Sequence, residues 1–594
     1  MRYEMPRPLF TMKKRSDRNT ALTWQLSIAS IFMVGVLYVM VDKDGRETRG
    51  CAEAPDGLAV NNGKTRSATY TKYAISSDKA LRLERMLDQI MKSHRRPDDD
   101  HYGYNLTRSD EIPVSRDIKD ARPKACLDRT FNYTSFPTVS VISPFHNEAL
   151  TPLVRHVHAL LARTPPHVLL EVILVDDMST FSYLGQDLQN YFNVLDPRIK
   201  LLRNRQREGL IRSRLYGADV AQGKVLVFLD AHMEVNHGWV EPLLQRLAEE
   251  EQLVLQPEIP PILVDTFDID TGLTVDHRGG FGWDMSYLWF PLPPYLSQFR
   301  RSDYDPIPFP VLQGSSIALR KPYFEDLGRF DSELSIWGGE HFEMSFNVWM
   351  TGGRVELIPC SKVGHIFKNI KFNFGSEEKN YVVAKNNLRV TEVWMDEYKQ
   401  FTRAAMRAWQ DPIPELSDNE WKSIEDRRRL RWQRNSKSFS WFLKTVLPEQ
   451  PIPSADDVKY GEVANSLTKH CLYVADTGLF SLTPTCMSFL VVVKQNTFSL
   501  DKWGRFKHRD KCVGFHENSF LLTLTHCPCV EGNRAVPHWT TDSEGALIYN
   551  GELGSLCATL VQAAPGVESD SVQLQACVPD MVEQKWSFMY HFKY

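Results

Sequence analysis

The sequence lacks a strong net charge. Its 594 residues include 70 Lys and Arg against 74 Asp and Glu, which gives a formal net charge of −4 at pH 7. Such a balance creates no large basic field, so nucleic acid is not expected as a partner. The chain is too long for one hydrophobic core, and about two to four domains are expected.

A signal-peptide cleavage site is also lacking. The uncharged run "ALTWQLSIASIFMVGVLYVMV" covers residues 21–41 and follows a basic N-terminal segment. As a helix it would be about 31 Å long, enough to cross a bilayer. A cleaved signal peptide is the alternative, but "YVMVDKD" offers no small-residue cleavage site. We therefore expect a cytoplasmic tail at 1–20, a transmembrane signal anchor at 21–41 and a lumenal remainder.

Sustained apolar periodicity is missing from residues 42–125, which we interpret as a stem that contains one short helix near 81–93. Two N-glycosylation sequons, at Asn105 and Asn132, fit a lumenal chain, although such tripeptides also arise by chance. Six of the ten cysteines form consecutive pairs of similar spacing, which would close as disulfides in an oxidising lumen. These pairs are Cys471 with Cys486, Cys512 with Cys527, and Cys557 with Cys577.

From Pro137 onward, apolar strands alternate with helical patterns. The strands are "TVSVISPF", "EVILVDDMS" and "KVLVFLDAH", and amphipathic segments follow each of them. This order predicts an α/β fold with a parallel sheet and helices on its faces. Because ligands bind at the carboxyl ends of such strands, the acids of "VDD" and the "DAH" segment are expected at the rim of a site.

A Pro-containing linker begins at 447, and the chain beyond it has short strands and the three Cys pairs. Three Cys-paired units in about 130 residues predict internal threefold repetition in an all-β fold.

Asp230 and His232 stand together at a strand end, where a carboxylate and an imidazole can share one divalent cation. His365, at the end of another apolar run in "CSKVGHIF", is a candidate third ligand. Mixed oxygen and nitrogen ligands suit Mn²⁺. The alternatives are ordinary surface residues for the first two and a histidine packed in a loop for the third.

Eight motifs that occur in order carry a resemblance to a known family. They are "VISPFHNEA", "ILVDDMS", "REGLIRSRLYGAD", "VFLDAHMEVN", "GGFGWDMSYLWF", "IWGGEHFEMSFNVWMTGG", "CSKVGHIF" and "NNLRVTEVWMDEYK". From about Cys126 to the C-terminus the chain resembles the polypeptide N-acetylgalactosaminyltransferases. The resemblance implies a GT-A-type catalytic domain at 126–446, a linker at 447–460 and a ricin B-type β-trefoil lectin domain at 461–594. It also implies a single-pass type II protein of the Golgi membrane.

The same resemblance assigns roles to residues of this chain. It implies a Mn²⁺ site formed by Asp230, His232 and His365, and an acidic pair near the uridine, Asp176 and Asp177. The implied nucleotide-contacting arginine is Arg207, and the implied disulfide joins Cys126 to Cys360. The residues implied beside the sugar and the leaving phosphate are Trp337, Glu340, Gly314, Ser315 and Lys368.

The implied reaction moves GalNAc from UDP-GalNAc to Ser or Thr hydroxyls of proteins, with retention at the anomeric carbon, and initiates mucin-type O-glycosylation. No protein nucleophile stands out in the sequence. The departing phosphate is therefore expected to take the proton of the acceptor. The alternative roles for Glu340 are a nucleophile and a hydrogen-bond acceptor that orients the sugar.

Several positions depart from the family pattern. Ser315 replaces a glycine of "AGG", Lys368 replaces an arginine, His341 replaces an asparagine, and the following loop "NIKFNFG" is short. In the β-trefoil, the sugar-binding aspartates of the family are replaced at three positions, which predicts weak or absent lectin binding. These positions are Tyr473, Gly514 and Thr559. The departures leave two alternatives open, a catalytically weak or inactive homologue that binds peptides or partner transferases, and transfer from another UDP-sugar.

Overall fold

The structure is a computed structural model that describes residues 73–592 with internal gaps. The residues left out within that range are 95–98, 121, 271–275, 301, 303, 369–373, 375–377, 408, 411, 476–477, 484–495, 529, 532–533, 536 and 564–569. The predicted tail at 1–20 and signal anchor at 21–41 lie outside the described residues. Among the helices that are described, none is both long enough and apolar enough to cross a bilayer.

A mixed β-sheet organises the N-terminal part of the described chain. Its strands are β1 (Val139–Phe145), β2 (Leu169–Asp176), β3 (Ile199–Arg203), β4 (Val225–Leu229), β5 (Met233–Val235), β6 (Leu253–Glu258), β9 (Ile307–Pro308), β10 (Ser316–Arg320) and β11 (Arg354–His365). A separate hairpin consists of β7 (His277–Phe281) and β8 (Tyr287–Pro291).

The strand order along this sheet is β3-β2-β1-β4-β10-β6-β11-β5, and β9 pairs with β11. The first four strands of this order are mutually parallel, as the sequence predicted from three of them. β10 runs antiparallel to β4 and to β6, so the second half of the sheet is mixed rather than parallel. The prediction missed this because it was drawn from the first strands alone.

Helices cover both faces of the sheet. The helices are α1 (Ser77–Ser93), α2 (Asp99–Tyr102), α3 (Leu106–Glu111), α4 (Lys124–Leu127), α5 (Leu150–Arg163), α6 (Gln186–Leu195), α7 (Gly209–Val220), α8 (Glu241–Glu249), α9 (Pro294–Phe299), α10 (Lys321–Asp326), α11 (Glu340–Met350), α12 (Lys379–Trp394), α13 (Lys399–Met406), α14 (Asp418–Gln433) and α15 (Phe439–Thr445).

Successive residues of the central strands enter different cores, because side chains alternate across a strand. Val227 of β4 packs with Leu153 of α5 in one buried cluster. Its neighbour Phe228 packs with Ile211 of α7 and Phe342 of α11 in the other. Burial on both faces explains why these strands have continuous apolar sequences.

Part of the predicted stem packs on this α/β core. Leu83 and Ile90 of α1 are buried in the same cluster as α5. Tyr102 and Tyr104 are buried against Phe267 and its neighbours. Short amphipathic segments of the predicted stem are therefore buried against the α/β core, although the composition of residues 42–125 is polar.

The C-terminal part consists of short strands around a separate apolar core that includes Phe498, Trp539 and Trp586. The strands are β12 (Asp457–Asn465), β13 (Cys471–Val474), β14 (Phe480–Thr483), β15 (Phe498–Asp501), β16 (Phe506–His508), β17 (Lys511–Phe515), β18 (Leu522–Thr525), β19 (Val530–Glu531), β20 (Arg534–Ala535), β21 (His538–Thr541), β22 (Leu547–Gly551), β23 (Gly554–Val561), β24 (Ser571–Ala576) and β25 (Trp586–His591). This part is all-β, as predicted.

Three disulfides are described. Cys512–Cys527 and Cys557–Cys577 pair as the spacing predicted, and Cys126–Cys360 pairs as the resemblance implied. Cys471 is disulfide-bonded as well, while Cys486, its predicted partner, lies outside the described residues. The prediction of an oxidised cysteine framework is therefore confirmed where the structure describes it.

The two parts share a packed interface. Tyr460, Tyr590 and Phe592 of the all-β part belong to one of the buried clusters of the α/β part. The ring of Phe592 lies 6.2 Å from that of Phe401. Trp283 donates its indole N–H to the carbonyl of Pro451 over 2.9 Å, which fastens the β7–β8 hairpin to the linker.

Removal of Cys126–Cys360 is expected to destabilise the protein more than removal of Cys557–Cys577. The first disulfide closes a sequence separation of 234 residues and the second one of 20. Loop-closure entropy then gives the longer loop an advantage of about 2 kcal/mol in the free energy of unfolding. Urea unfolding of the two double Cys→Ser variants measures this difference, and equal losses would contradict it.

Candidate metal and nucleotide-sugar site

The carboxyl ends of β1, β2 and β4 lie side by side, because these strands are parallel. Phe145 at the end of β1 pairs with Asp176 at the end of β2, and Ile142 of β1 pairs with Phe228 of β4. The residues that follow the three strands therefore meet at one edge of the sheet. This is the edge at which open α/β sheets bind ligands.

Asp230, His232 and His365 each bring one ligand atom to within 4.8 Å of the others. Asp230 follows β4 directly, and its backbone N–H donates to the carbonyl of Ser315 over 3.1 Å. His365 ends β11, where it pairs with Met233 of β5, and its ring lies 4.9 Å from that of His232. The antiparallel pairing of β5 with β11 thus unites two histidines that are distant in sequence.

Each of the two histidines has a ring nitrogen that can bind a cation. Nε2 of His365 lies 3.4 Å from Oδ2 of Asp230, and otherwise neither of the two buried ring nitrogens has a hydrogen-bond partner among the described residues. Nδ1 of His232 lies 2.9 Å from Oε2 of Glu148, which leaves Nε2 for a ligand. Buried polar atoms without a partner are rare in native proteins. One carboxylate and two imidazoles therefore fit a divalent cation, and their role as ligands stays a prediction.

The charge states at this cluster suit a cation. Burial alone would raise the pKa of Asp230, but its interaction with His365 and the positive charge of Arg214 lower that pKa to about 2. Burial, together with the ammonium of Lys368, lowers the pKa of His232 below its ordinary value. At neutral pH Asp230 is thus ionised and His232 is neutral, and these are the forms that bind metal.

Asp177 is held by the loop before α7. Its Oδ1 accepts hydrogen bonds from Nδ2 of Asn204 (2.9 Å) and from the N–H of Glu208 (2.8 Å), and its Oδ2 accepts from the N–H of Gly209 (2.8 Å). Arg207 forms an ion pair with the same carboxylate, and burial lowers the pKa of this arginine to about 10. The structure therefore shows Asp177 anchoring the loop that carries Arg207.

Asp176 is also bonded within the protein. Its Oδ1 accepts from the N–H of Ser179 over 2.8 Å, and Arg203 pairs with Oδ2. Both predicted uridine-site acids are buried at the correct edge of the sheet. Contact of either acid with a nucleotide stays a prediction.

The segment of Gly314 and Ser315 lies next to the cation cluster, since the carbonyl of Ser315 accepts the N–H of Asp230. Its φ is 90°, and a Cβ there would lie 3.2 Å from Cβ of His341 and 3.6 Å from Oε1 of Glu340. The carbonyl of Gly314 accepts a hydrogen bond from Nη2 of Arg214 over 2.8 Å. The hydroxyl of Ser315 is buried and makes no hydrogen bond with the protein. This segment therefore presents a buried hydroxyl without a hydrogen-bond partner within the described residues.

The turn that contains Trp337 is fixed by Asn386. Nδ2 of Asn386 donates to the carbonyls of Trp337 (3.1 Å) and Gly338 (2.9 Å). Gly338 and Gly339 both have positive φ, 100° and 88°, which favours glycine at these positions. Glu340 then begins α11 and accepts the N–H of Gly338 on Oε2 over 3.1 Å. The turn thus holds Glu340 opposite Gly314.

Lys368 is held by Glu148, whose two carboxylate oxygens both lie 2.6 Å from Nζ of the lysine. The short loop "NIKFNFG" that follows it, residues 369–375, lies outside the described residues except for Phe374. Sequence reasoning gave no role to Glu148 or to Arg214. The position of Glu148 three residues after the end of β1 was a usable signal, whereas Arg214 lies within α7 and resembles an ordinary helical residue in the sequence.

The mixed sheet, the ligand cluster at its carboxyl edge and the appended all-β part define a glycosyltransferase of the GT-A type. Residues 140–328 match glycosyl transferase family 2. A crystal structure of GalNAc-T7 with UDP, GalNAc and Mn2+ is similar, with a TM-score of 0.58 and 26% sequence identity; the match covers 91% of this chain and 95% of that one.

Curated relatives refine this class. Polypeptide N-acetylgalactosaminyltransferase 6 of Mus musculus is 36% identical over 497 residues, which is 82% of this chain and 77% of the relative. Polypeptide N-acetylgalactosaminyltransferase 3 of Mus musculus is 38% identical over 411 residues, which is 68% of this chain and 63% of the relative. The chain belongs to the polypeptide N-acetylgalactosaminyltransferase family.

Asp230→Asn is expected to weaken Mn²⁺ binding by about 100-fold or more. The variant removes the charged member of the cluster, and loss of groups that merely support metal ligands already costs about 10–100-fold. The measurement is the concentration of free Mn²⁺, followed by electron paramagnetic resonance during titration.

Asp196→Asn is the matched control, because Asp196 pairs with Arg198 over 2.9 Å and is not among the predicted site residues. It should cost stability and leave the Mn²⁺ affinity unchanged. Equal Mn²⁺ affinity in the wild type and in Asp230→Asn would contradict the assignment.

Proposed function

We propose that this chain transfers GalNAc from UDP-GalNAc to Ser and Thr hydroxyls of proteins, with retention at the anomeric carbon, and so initiates mucin-type O-glycosylation. The observation that carries the proposal is the convergence of Asp230, His232 and His365 at the carboxyl edge of the sheet, in a member of this family. The similarity to GalNAc-T7, whose crystal structure is described with UDP, GalNAc and Mn2+, supports Mn²⁺ as the cation.

The reaction breaks the bond between the sugar and the diphosphate while negative charge accumulates on UDP. When bound, Mn²⁺ supplies Lewis-acid stabilisation of that charge. Asp230 would provide the negative charge that holds the cation, and His232 and His365 would each add one imidazole nitrogen as a ligand. We assign Arg207 and Lys368 to the nucleotide, as cations next to this edge.

Glu340 and Trp337 are assigned to the transferred sugar. Oε2 of Glu340 is occupied by the N–H of Gly338, so Oε1 remains for a sugar hydroxyl. We give Glu340 an orienting role and let the departing phosphate take the proton of the acceptor. The uncommitted hydroxyl of Ser315 lies next to Gly314, and donor choice is expected to depend on it.

A binding protein without catalytic activity is the second candidate that the departures at Ser315 and Lys368 raised. The described residues favour the enzyme, because the cation cluster, Glu340 and the turn at Trp337 are present and ordered around one edge. A protein selected for binding alone would not need this arrangement.

We further propose a single-pass Golgi membrane protein whose anchor is the run at 21–41 and whose two domains are lumenal. The basic segment before that run supports this orientation. The disulfides support it too, since such bonds form in oxidising compartments.

The all-β part is proposed to be a ricin-type β-trefoil with little affinity for sugars. Oγ1 of Thr559 is buried, accepts from Nε2 of Gln584 over 3.0 Å and donates to the carbonyl of Cys557 over 3.0 Å. At Gly514 a Cβ would meet Cγ2 of Thr525 at 2.8 Å. Neither position offers the carboxylate that would accept hydrogen bonds from sugar hydroxyls.

The purified protein, incubated with a Ser/Thr peptide library, Mn²⁺ and UDP-GalNAc, is expected to add one N-acetylhexosamine mass to its acceptor peptides. Mass spectrometry of the peptides gives the measurement. Asp230→Asn should lower the rate by about 100-fold or more, because the charge on the leaving diphosphate loses its stabilisation.

Parallel reactions with UDP-GlcNAc and UDP-Gal test the donor. Transfer from one of these in place of UDP-GalNAc would shift the assignment to another UDP-sugar. UDP binding without transfer to any peptide would favour the binding protein.

A further inference from the structure

Glu148 joins the proposed cation site to the proposed diphosphate contact. It lies shortly after β1, at the same edge as the ends of β2 and β4. Its Oε2 lies 2.9 Å from Nδ1 of His232, and both of its oxygens lie 2.6 Å from Nζ of Lys368. One carboxylate therefore contacts a member of each group at the same time.

Glu148 is buried together with its two partners. The residue is 5% exposed, and the side chains of Lys368 and His232 are 8% and 15% exposed. Because a buried carboxylate is costly without partners, the ammonium of Lys368 and the imidazole of His232 both stabilise Glu148 in this position.

Tyr183 holds the backbone of Glu148, and two further tyrosines pack beside it. The hydroxyl of Tyr183 donates to the backbone carbonyl of Glu148 over 2.9 Å and is 2.6 Å from the hydroxyl of Tyr102. Nζ of Lys368 lies 5.9 Å from the ring centre of Tyr104. Tyr102 and Tyr104 belong to the segment predicted as stem, so that segment forms a wall of the site.

We propose that Glu148 is a positioning residue that sets the affinity for both the cation and the nucleotide. By accepting the Nδ1–H of His232 it fixes the tautomer, so that Nε2 presents its lone pair to the cation. By engaging two of the three N–H donors of Lys368 it leaves the third for a diphosphate oxygen. This inference rests on the proposed function, because it takes His232 as a cation ligand.

Glu148→Gln tests the inference, because glutamine keeps the size of the side chain and removes its charge. The full-length protein is titrated with Mn²⁺ alone, followed by electron paramagnetic resonance, and with UDP at saturating Mn²⁺, followed by calorimetry. We expect the Kd for Mn²⁺ and the Kd for UDP each to rise by about 10–100-fold. Lys368→Met is expected to raise the Kd for UDP by about tenfold and to change the Kd for Mn²⁺ by less than about threefold.

Glu171→Gln is the matched control. Glu171 is a buried carboxylate that accepts from Oγ of Ser140 over 2.6 Å and pairs with Lys200, away from the cluster. Its loss should lower the unfolding temperature and leave both Kd values at the level of the wild type. An equal rise of the Mn²⁺ Kd in Glu171→Gln would overturn the inference, since the effect would then be general destabilisation.

Unchanged Mn²⁺ affinity in a folded Glu148→Gln would also overturn it. If Glu148→Gln does not fold, Lys368→Met provides the test. Equal losses of Mn²⁺ and UDP affinity in that variant would overturn the inference that Glu148 acts on the cation through His232 and on the nucleotide through Lys368. Failure of the wild type to bind Mn²⁺ both alone and in the presence of UDP is a different result, because it would refute the proposed function and this inference with it.

Discussion

Compensation of buried negative charge is the constraint on which this site depends. Parallel pairing of β1, β2 and β4 brings Asp176 and three further carboxylates to one edge of the sheet. Each of the three has a cation of its own: Glu148 pairs with Lys368, Asp177 with Arg207, and Asp230 with Arg214. Loss of one partner from a buried pair costs about 3–5 kcal/mol. The three pairs therefore lock the strand ends, the loop before α7 and the end of β11 into one framework before any ligand arrives.

The sequence predicted the parts of this framework that local pattern controls. Strands buried on both faces are continuous apolar runs, so β1, β2 and β4 were readable, and so were the polar residues at their ends. The proximity of Asp230 and His232 could be predicted because both lie in one short extended segment. The sequence pattern gave His365 only as a candidate ligand, because its position beside His232 depends on the antiparallel register of β5 and β11. Arg214 gave no signal at all, since a buried arginine inside a helix differs from a solvated one only through tertiary contacts.

The difference between local pattern and tertiary contact also explains which features of the stem and which disulfides could be predicted from the sequence. Local composition between residues 42 and 125 is polar, and nothing in it shows that Tyr102 and Tyr104 are buried near Glu148. Consecutive cysteines in the all-β part could be paired by spacing, because neighbouring strands of short hairpins bring them together. No spacing rule joins Cys126 to Cys360, and that disulfide was predicted through the resemblance alone. Local pairings are thus readable from one sequence, whereas long-range pairings need either a relative or a structure.

Charge balance at the edge also bears on the order of binding. Asp230 and Glu148 contribute two negative charges, and Arg214 and Lys368 contribute two positive ones, so the inner group is neutral by itself. A divalent cation that enters alone adds two uncompensated charges next to Arg214. Two unit charges of like sign about 4 Å apart repel by about 4 kcal/mol at an effective dielectric constant near 20, and the repulsion doubles for a divalent ion. A diphosphate that enters with the cation removes this penalty and gains Lys368 as a partner. The neutral inner group thus favours a cation that arrives with a diphosphate over a cation that arrives alone.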